Sequence, residues 1–276
     1  MAVLAWHFLP ISKKSSHIWV RSIQTRCDLK NLVLILFCLA SLRLSAQNNT
    51  DTTRAQSSGT GNIRATSFIL PAALVAYGSL SFAVHPIHRL DYYINDQLGH
   101  GIKTTAATYT AFVPIVAVYG LNLAGVPGKH NFADRTALLA LSVGFAGAFD
   151  FPLKHLISRK DPGGNYSGSF PSGHTLGAFA AAEFMAQEYG DQSPAYSIAG
   201  YTVAVATGVL RCYTHNHWFS EVVGGAGFGI ASTKLAYLVY PAVKKALTHT
   251  DKAGKSTFLM PTYQDGMAGL AFAKRF

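Results

Sequence analysis

Arg211-Cys212-Tyr213-Thr214-His215-Asn216-His217-Trp218-Phe219-Ser220-Glu221 separates an uncharged run, Ala195 to Leu210, from a second apolar run, Val222 to Val243. Two shorter stretches upstream belong with it. One is Lys154-His155-Leu156-Ile157-Ser158-Arg159-Lys160-Asp161-Pro162, at the end of an apolar helical pattern. The other is Phe170-Pro171-Ser172-Gly173-His174, at the start of one. Together they supply cations, a helix N-terminus, two well-spaced histidines and a carboxylate. Those are the groups that hold and attack a phosphate, and the rest of the chain reads as their scaffold.

Outward from that stretch the chain is a series of apolar segments. Ser67 to Val84 and Thr104 to Val126 are free of charge and are the cleanest membrane-span candidates. Thr136 to Phe149, His174 to Tyr189, Ala195 to Leu210 and Val222 to Val243 complete the set. All are too long and too rich in Ala, Leu and Gly for strands. The expected fold is therefore all-α, a membrane-associated helical bundle of about six apolar helices. Gly144, Gly147, Gly224, Gly225, Gly227 and Gly229 are expected to let helices pack closely.

Composition agrees with this class. Charged residues make up 13% of the 276 residues and hydrophobic ones 49%, which leans towards a membrane-associated or deeply buried helical protein. Residues 1–46 hold six basic residues and one acid, so half of the net charge of +10 lies there. The remaining mild excess suits an anionic substrate or membrane surface. Nucleic acid is a poor fit, because no basic run with interleaved aromatics occurs. Of Cys27, Cys38 and Cys212, only the last lies beyond the N-terminal segment, which leaves no internal disulfide.

That N-terminal segment, 1–46, reads as a signal peptide, with a signal anchor as the alternative: a long basic region, an apolar stretch from Asn31 to Leu42, then small residues before Gln47. It directs the chain to the cell envelope, membrane-associated or periplasmic. Residues 47–66 are Ser-, Thr-, Asn- and Gly-rich and read as a flexible linker. The helical domain occupies 67–243, and 244–276 form a C-terminal tail, in which Gly269 to Phe276 alternates as a short strand would.

Within the three stretches, Ser172 is placed as an N-cap and Gly173 allows close backbone approach. The amides and dipole of that helix start favour phosphate, and His174 would then stand beside it to protonate a leaving oxygen. His217 and Glu221 are four apart and share a helix face, so the carboxylate can hold Nδ1–H and leave Nε2 free. Arg211 offers a bidentate fork. Lys154, Arg159 and Lys160 add positive charge ahead of the Gly-rich loop. Trp218 is expected to pack the last helix against the core. His215 and His217, two apart, would point to different helix faces, which argues against a metal site.

These residues resemble the type 2 phosphatidic acid phosphatase family, whose site is shared with vanadium haloperoxidases. Lys154 and Pro162 match the first family motif, Pro171 to His174 the second in full, and Arg211 and His217 the third at its spacing. Three positions differ: Asp161 stands at a motif Arg, Leu210 at a Ser and Glu221 at an Asp. The resemblance implies a metal-independent phosphatase without cofactor, with His217 as nucleophile, His174 as acid and base, and Glu221 orienting His217. Lys154, Ser172, Gly173 and Arg211 would bind phosphate, with Arg159 or Lys160 replacing the cation lost at Asp161. The implied substrate is a lipid phosphate or diphosphate. The alternatives are a soluble periplasmic acid phosphatase on small phosphate esters, a vanadate-dependent haloperoxidase, or a weakened or inactive relative because of Asp161.

Overall fold

Asn131 caps a long helix: its Oδ1 accepts the amide of Asp134 at 2.9 Å, and Asp134 lies in the first turn where an acid suits the dipole. The helix runs Phe132–Leu156 and has the basic residues Lys154 and His155 in its last turn, the end where a cation such as Lys154 suits the dipole. A computed structural model describes residues 63–98, 103–250, 256–264 and 267–274, the last two as backbone pairings only. The expected signal segment, 1–46, and most of the expected linker lie outside the described residues.

After a 3₁₀ turn at Ala65–Phe68 the helices are α1 (Ile69–Leu80), α2 (His85–Gln97), α3 (Ala106–Thr110) and α4 (Val113–Leu123). They continue as α5 (Phe132–Leu156), α6 (Gly173–Tyr189), α7 (Pro194–Tyr213) and α8 (Phe219–Leu247). Three antiparallel strands follow, β1 (Thr248–Thr250), β2 (Ser256–Gln264) and β3 (Met267–Lys274), in the order β1-β2-β3. The bundle is all-α as the apolar segments indicate, and the strands extend the last helix.

Two differences from the sequence reading have simple causes. The uncharged run 104–126 is not one helix but α3 and α4, separated at Ala111 and Phe112, with Pro114 in the first turn of α4 where its missing N–H does no harm. The run 67–84 yields only the 12 residues of α1, after which the chain turns by 86° into α2. Among the described residues, the helices long and apolar enough to cross a membrane are instead Phe132–Leu156 and Phe219–Ala246, or three spans if the bent α1–α2 pair counts as one. At about 1.5 Å per residue, either long helix exceeds a ~30 Å hydrocarbon core. α5 presents Val143, Phe151 and Leu156 outward, as a lipid-facing helix would.

Helix α6 is central, packed against α8, α7, α4 and α5. Four of its eleven buried residues are alanines (Ala178, Ala180, Ala181 and Ala182), which lets neighbours approach closely there. On α8 a Cβ at Gly229 would lie 2.3 Å from the Leu176 carbonyl of α6, and one at Gly225 2.7 Å from that of Ser172. Gly227 meets α1 in the same way, 2.7 Å from the Pro71 carbonyl, and Gly224 faces Gly78 of α1. Gly144 and Gly147 of α5, by contrast, have open space where a side chain would go.

Gly229→Ala is therefore expected to force α6 and α8 apart and to cost about 1–3 kcal/mol. Gly144→Ala, with no neighbour to strike, is expected to be neutral or to stabilise by up to ~1 kcal/mol through helix propensity. Thermal unfolding of both variants in detergent checks the contrast.

Candidate active site

All three motif stretches meet at one end of the bundle. α5 and α7 bring their C-termini there, with Lys154 and Arg211, while α6 and α8 bring their N-termini, with His174 and Glu221. Cationic side chains and the positive ends of two helix dipoles thus converge.

The spacing from Arg211 to His217 has a local cause. α7 runs out at Tyr213, and the chain folds back so that the carbonyl of Arg211 accepts the amides of Asn216 (3.2 Å) and His217 (3.3 Å). His215 takes a positive φ of 54° to make that turn. The two histidines thus lie in a loop rather than on a helix. Among the described residues no group of three metal-ligating side chains forms.

His217 is buried, and its Nδ1 lies 2.9 Å from Glu221 Oε2. That oxygen also accepts the Trp218 amide at 3.2 Å and the Ser169 hydroxyl at 2.5 Å. A carboxylate on Nδ1 fixes the tautomer and leaves Nε2 unprotonated. Trp218 is itself buried, donates Nε1–H to the Lys160 carbonyl at 2.8 Å and packs on Tyr92.

Gly173 opens α6, and a Cβ there would lie 2.7 Å from Lys154 Nζ, so the ammonium sits directly against the helix start. Lys154 is held by Asp150, one turn earlier, at 2.9 Å, and Asp150 Oδ1 is buried without a hydrogen bond. Ser172 is the N-cap residue, but its hydroxyl meets Thr175 Oγ1 at 2.9 Å rather than a first-turn amide, and the residue is fully buried. His174 is half-buried and its Nε2 lies 3.1 Å from the Thr108 hydroxyl of α3. Arg211 has its Nε buried and unpartnered, a donor ready for a ligand oxygen.

Arg159 sits elsewhere. Its guanidinium contacts Asp91 Oδ2 at 2.7 Å, the hydroxyls of Ser81 and Ser220 at 2.9 and 3.0 Å, and Glu221 Oε1 at 3.3 Å. It stands behind Glu221, on the oxygen that His217 does not use. Lys160 is exposed. Asp161 accepts the amide of Tyr166 at 3.0 Å, capping its own loop, and borders an open cleft of about 740 Å³ shared with Lys103, Asn165, His215 and Asn216.

The sequence reading missed Asp91, Ser169, Thr108 and Asp150. Ser169 and Thr108 carry no pattern signal. Asp91 lies on α2, whose start was marked by Pro86 in the first turn. Asp150 lies one helical turn before Lys154, a spacing that predicts their pairing.

Burial holds both histidines below the ordinary value of 6.5. For His217 the nearby charges of Arg211 and Lys154 add to burial, against the opposing pull of Glu221. For His174 the charges of Arg211, His217 and Lys154 add to it, against Asp150. Both rings are thus neutral in the free protein at pH 7.

Residues 135–245, a stretch that contains all three motif clusters, match the PAP2 superfamily. The chain is 38% identical over 128 residues to a lipid A 1-phosphatase of Porphyromonas gingivalis, an alignment covering 46% of this chain. The chain spans only 29% of the length of that relative. The crystal structure of a transmembrane PAP2 type phosphatidylglycerolphosphate phosphatase from Bacillus subtilis overlays with a TM-score of 0.45 at 20% identity. The overlay covers 66% of this chain and 99% of that one.

Ring-nitrogen NMR titration of the free protein is expected to give midpoints for His174 and His217 below 6.5, since each lowered value keeps the ring neutral until the pH falls further.

Proposed function

We propose that the protein is a metal-independent phosphatase of the cell envelope that hydrolyses a lipid phosphate through a phosphohistidine. The observation that carries this reading is His217 held at Nδ1 by a fully buried carboxylate, beside Arg211 and Lys154. In the first step Nε2 of His217 forms a bond to phosphorus as the ester P–O bond breaks, and His174 gives its proton to the departing alcohol. In the second, His174 takes a proton from water, whose oxygen displaces His217. The sum is ester plus water to alcohol plus phosphate.

His174 is neutral in the free protein, so it must gain a proton before it can act as the acid. A bound phosphate dianion brings negative charge next to it and opposes the cations that depress it. In this reading Lys154, Arg211 and the Gly173 amide hold the equatorial oxygens, and catalysis of this kind depends chiefly on such preset charge. Ser172 contributes through the helix start rather than through its paired hydroxyl.

The substrate class follows from three supports. The long apolar helices favour a lipid. The relative is a lipid A 1-phosphatase, which suggests a phosphate carried on a sugar headgroup. The cleft at Asp161 carries amide, hydroxyl, ammonium and carboxylate groups that can meet a hydroxylated headgroup.

Phosphate release from lipid and soluble esters, with EDTA present, tests the reading. His217→Ala is expected to abolish turnover and the acid-labile phosphoenzyme together. His174→Ala is expected to lower kcat by about 10²–10⁴-fold. Wild type is expected to be active despite Asp161, because Lys154 and Arg211 stand at the site without it. A silent wild type with an active Asp161→Arg variant would instead assign the chain as an inactive relative.

A further inference from the structure

Glu221 presents two oxygens to two different neighbourhoods. Oε2 serves His217, Ser169 and the Trp218 amide. Oε1 is fully enclosed and forms no hydrogen bond, with Arg159 Nε 3.3 Å away as its ion-pair partner. Arg159 is gripped in turn by Asp91, at 2.7 Å. Asp91 is 1% exposed and also accepts the amide (2.8 Å) and hydroxyl (2.6 Å) of Ser220, the residue next to Glu221 in the first turn of α8. Arg159 is flanked by the rings of Phe82 and Trp218, at 5.3 and 5.7 Å. Carboxylate, guanidinium, carboxylate and imidazole thus alternate from α2 to the site.

We propose that Asp91 and Arg159 are positioning residues for the catalytic pair: Arg159 holds Glu221, and Asp91 holds both Arg159 and the start of α8. This rests on the reading of His217 as nucleophile. The arrangement does more than fix geometry. An unshared guanidinium would draw the charge of Glu221 away from His217 and make the imidazole a poorer base. With Asp91 on its other side the guanidinium is shared, and Glu221 keeps its hold on His217. The other groups facing His217 are the cations Lys154 of α5 and Arg211 of α7 and the ring of His174 of α6. The buried Cys212 thiol is pushed up by burial and, after it, by the charges of Asp91 and Glu221.

The charge alternation predicts opposite signs for two neutral substitutions, which general damage would not produce. Asp91→Asn leaves Arg159 acting on Glu221 alone, so the imidazolium is less stabilised and the acidic limb of kcat/KM moves to lower pH. Arg159→Gln leaves Glu221 uncompensated, so the imidazolium is more stabilised and the limb moves to higher pH. Each shift is expected to be about half a unit to one unit, with kcat about 10- to 100-fold lower from lost alignment.

The experiment is a pH profile of the full chain in detergent, with dioctanoyl phosphatidic acid as probe, for wild type, both variants and Arg159→Lys, with thermal unfolding run alongside. Opposite limb shifts in folded variants support the assignment. Unmoved limbs, or shifts of one common sign, overturn it while leaving the phosphohistidine reading intact. Should a neutral variant not fold, Arg159→Lys decides: lysine keeps the charge but not the fork. Its limb is expected to stay at the wild-type position with kcat about tenfold lower, and a displaced limb or unchanged kcat overturns the assignment. Absence of a phosphoenzyme in wild type overturns the underlying reading, a result obtained independently of the limb positions.

Discussion

The Glu221 carboxylate is enclosed entirely by protein, and much of the site is arranged to keep its charge matched. An ion taken out of water costs several kcal/mol unless partners replace the lost hydration. Here they come from the loop after α5 (Arg159), the segment before α6 (Ser169), and the turn that opens α8 (the Trp218 amide and His217). Arg159 in turn brings in Asp91 from α2. A single buried carboxylate therefore ties four separate parts of the chain together, and moving any of them would expose or orphan a charge.

Helix packing sets the distance across which that charge acts. α8 can lie against α6 and α1 because Gly225, Gly227 and Gly229 present no side chain where the facing backbones approach. Two helix N-termini then open side by side, and the cationic C-termini of α5 and α7 fill the remaining corners. The opposite end has its own closed set: Glu188 pairs with Arg135 and His130 and accepts from Tyr237. Between the ends, Glu183 pairs with Lys234 at 2.7 Å. Glu188 and Glu183 are thus each matched by a cation, as a low-dielectric interior requires.

Burial also shapes the chemistry. A histidine exposed to water would be partly protonated near neutrality and would lose nucleophilic character. Enclosing His217 beside two cations keeps Nε2 available, while Glu221 keeps the ring stabilised once positive charge develops on it. The two effects oppose each other: burial and the two cations favour the neutral ring, and Glu221 favours the imidazolium. The extra methylene of Glu221 relative to aspartate fits a carboxylate that must reach both His217 and Arg159.

Much was legible in the chain itself. Apolar runs announced helices, because apolar length needs no tertiary partner to be recognised, but the two uncharged runs, 67–84 and 104–126, did not become single long helices. Lys154, the Pro171 to His174 turn and Arg211 were readable because helix ends are local geometry, whereas His217 meets Glu221 from the turn before α8 and not from a shared helix face. Tertiary structure alone decided where each cation went. Arg159 and Arg211 look alike in sequence, yet one pairs with Asp91, 68 residues away, and the other keeps a donor unpartnered at the site. It also decided that Gly229 meets a helix while Gly144 meets open space, and that a proline and a turn divide 104–126. Local pattern specifies which residues can form a helix or present a charge. The partner a charge finds is set by which distant segments the packed helices bring within a few ångströms, and no spacing along the chain encodes that.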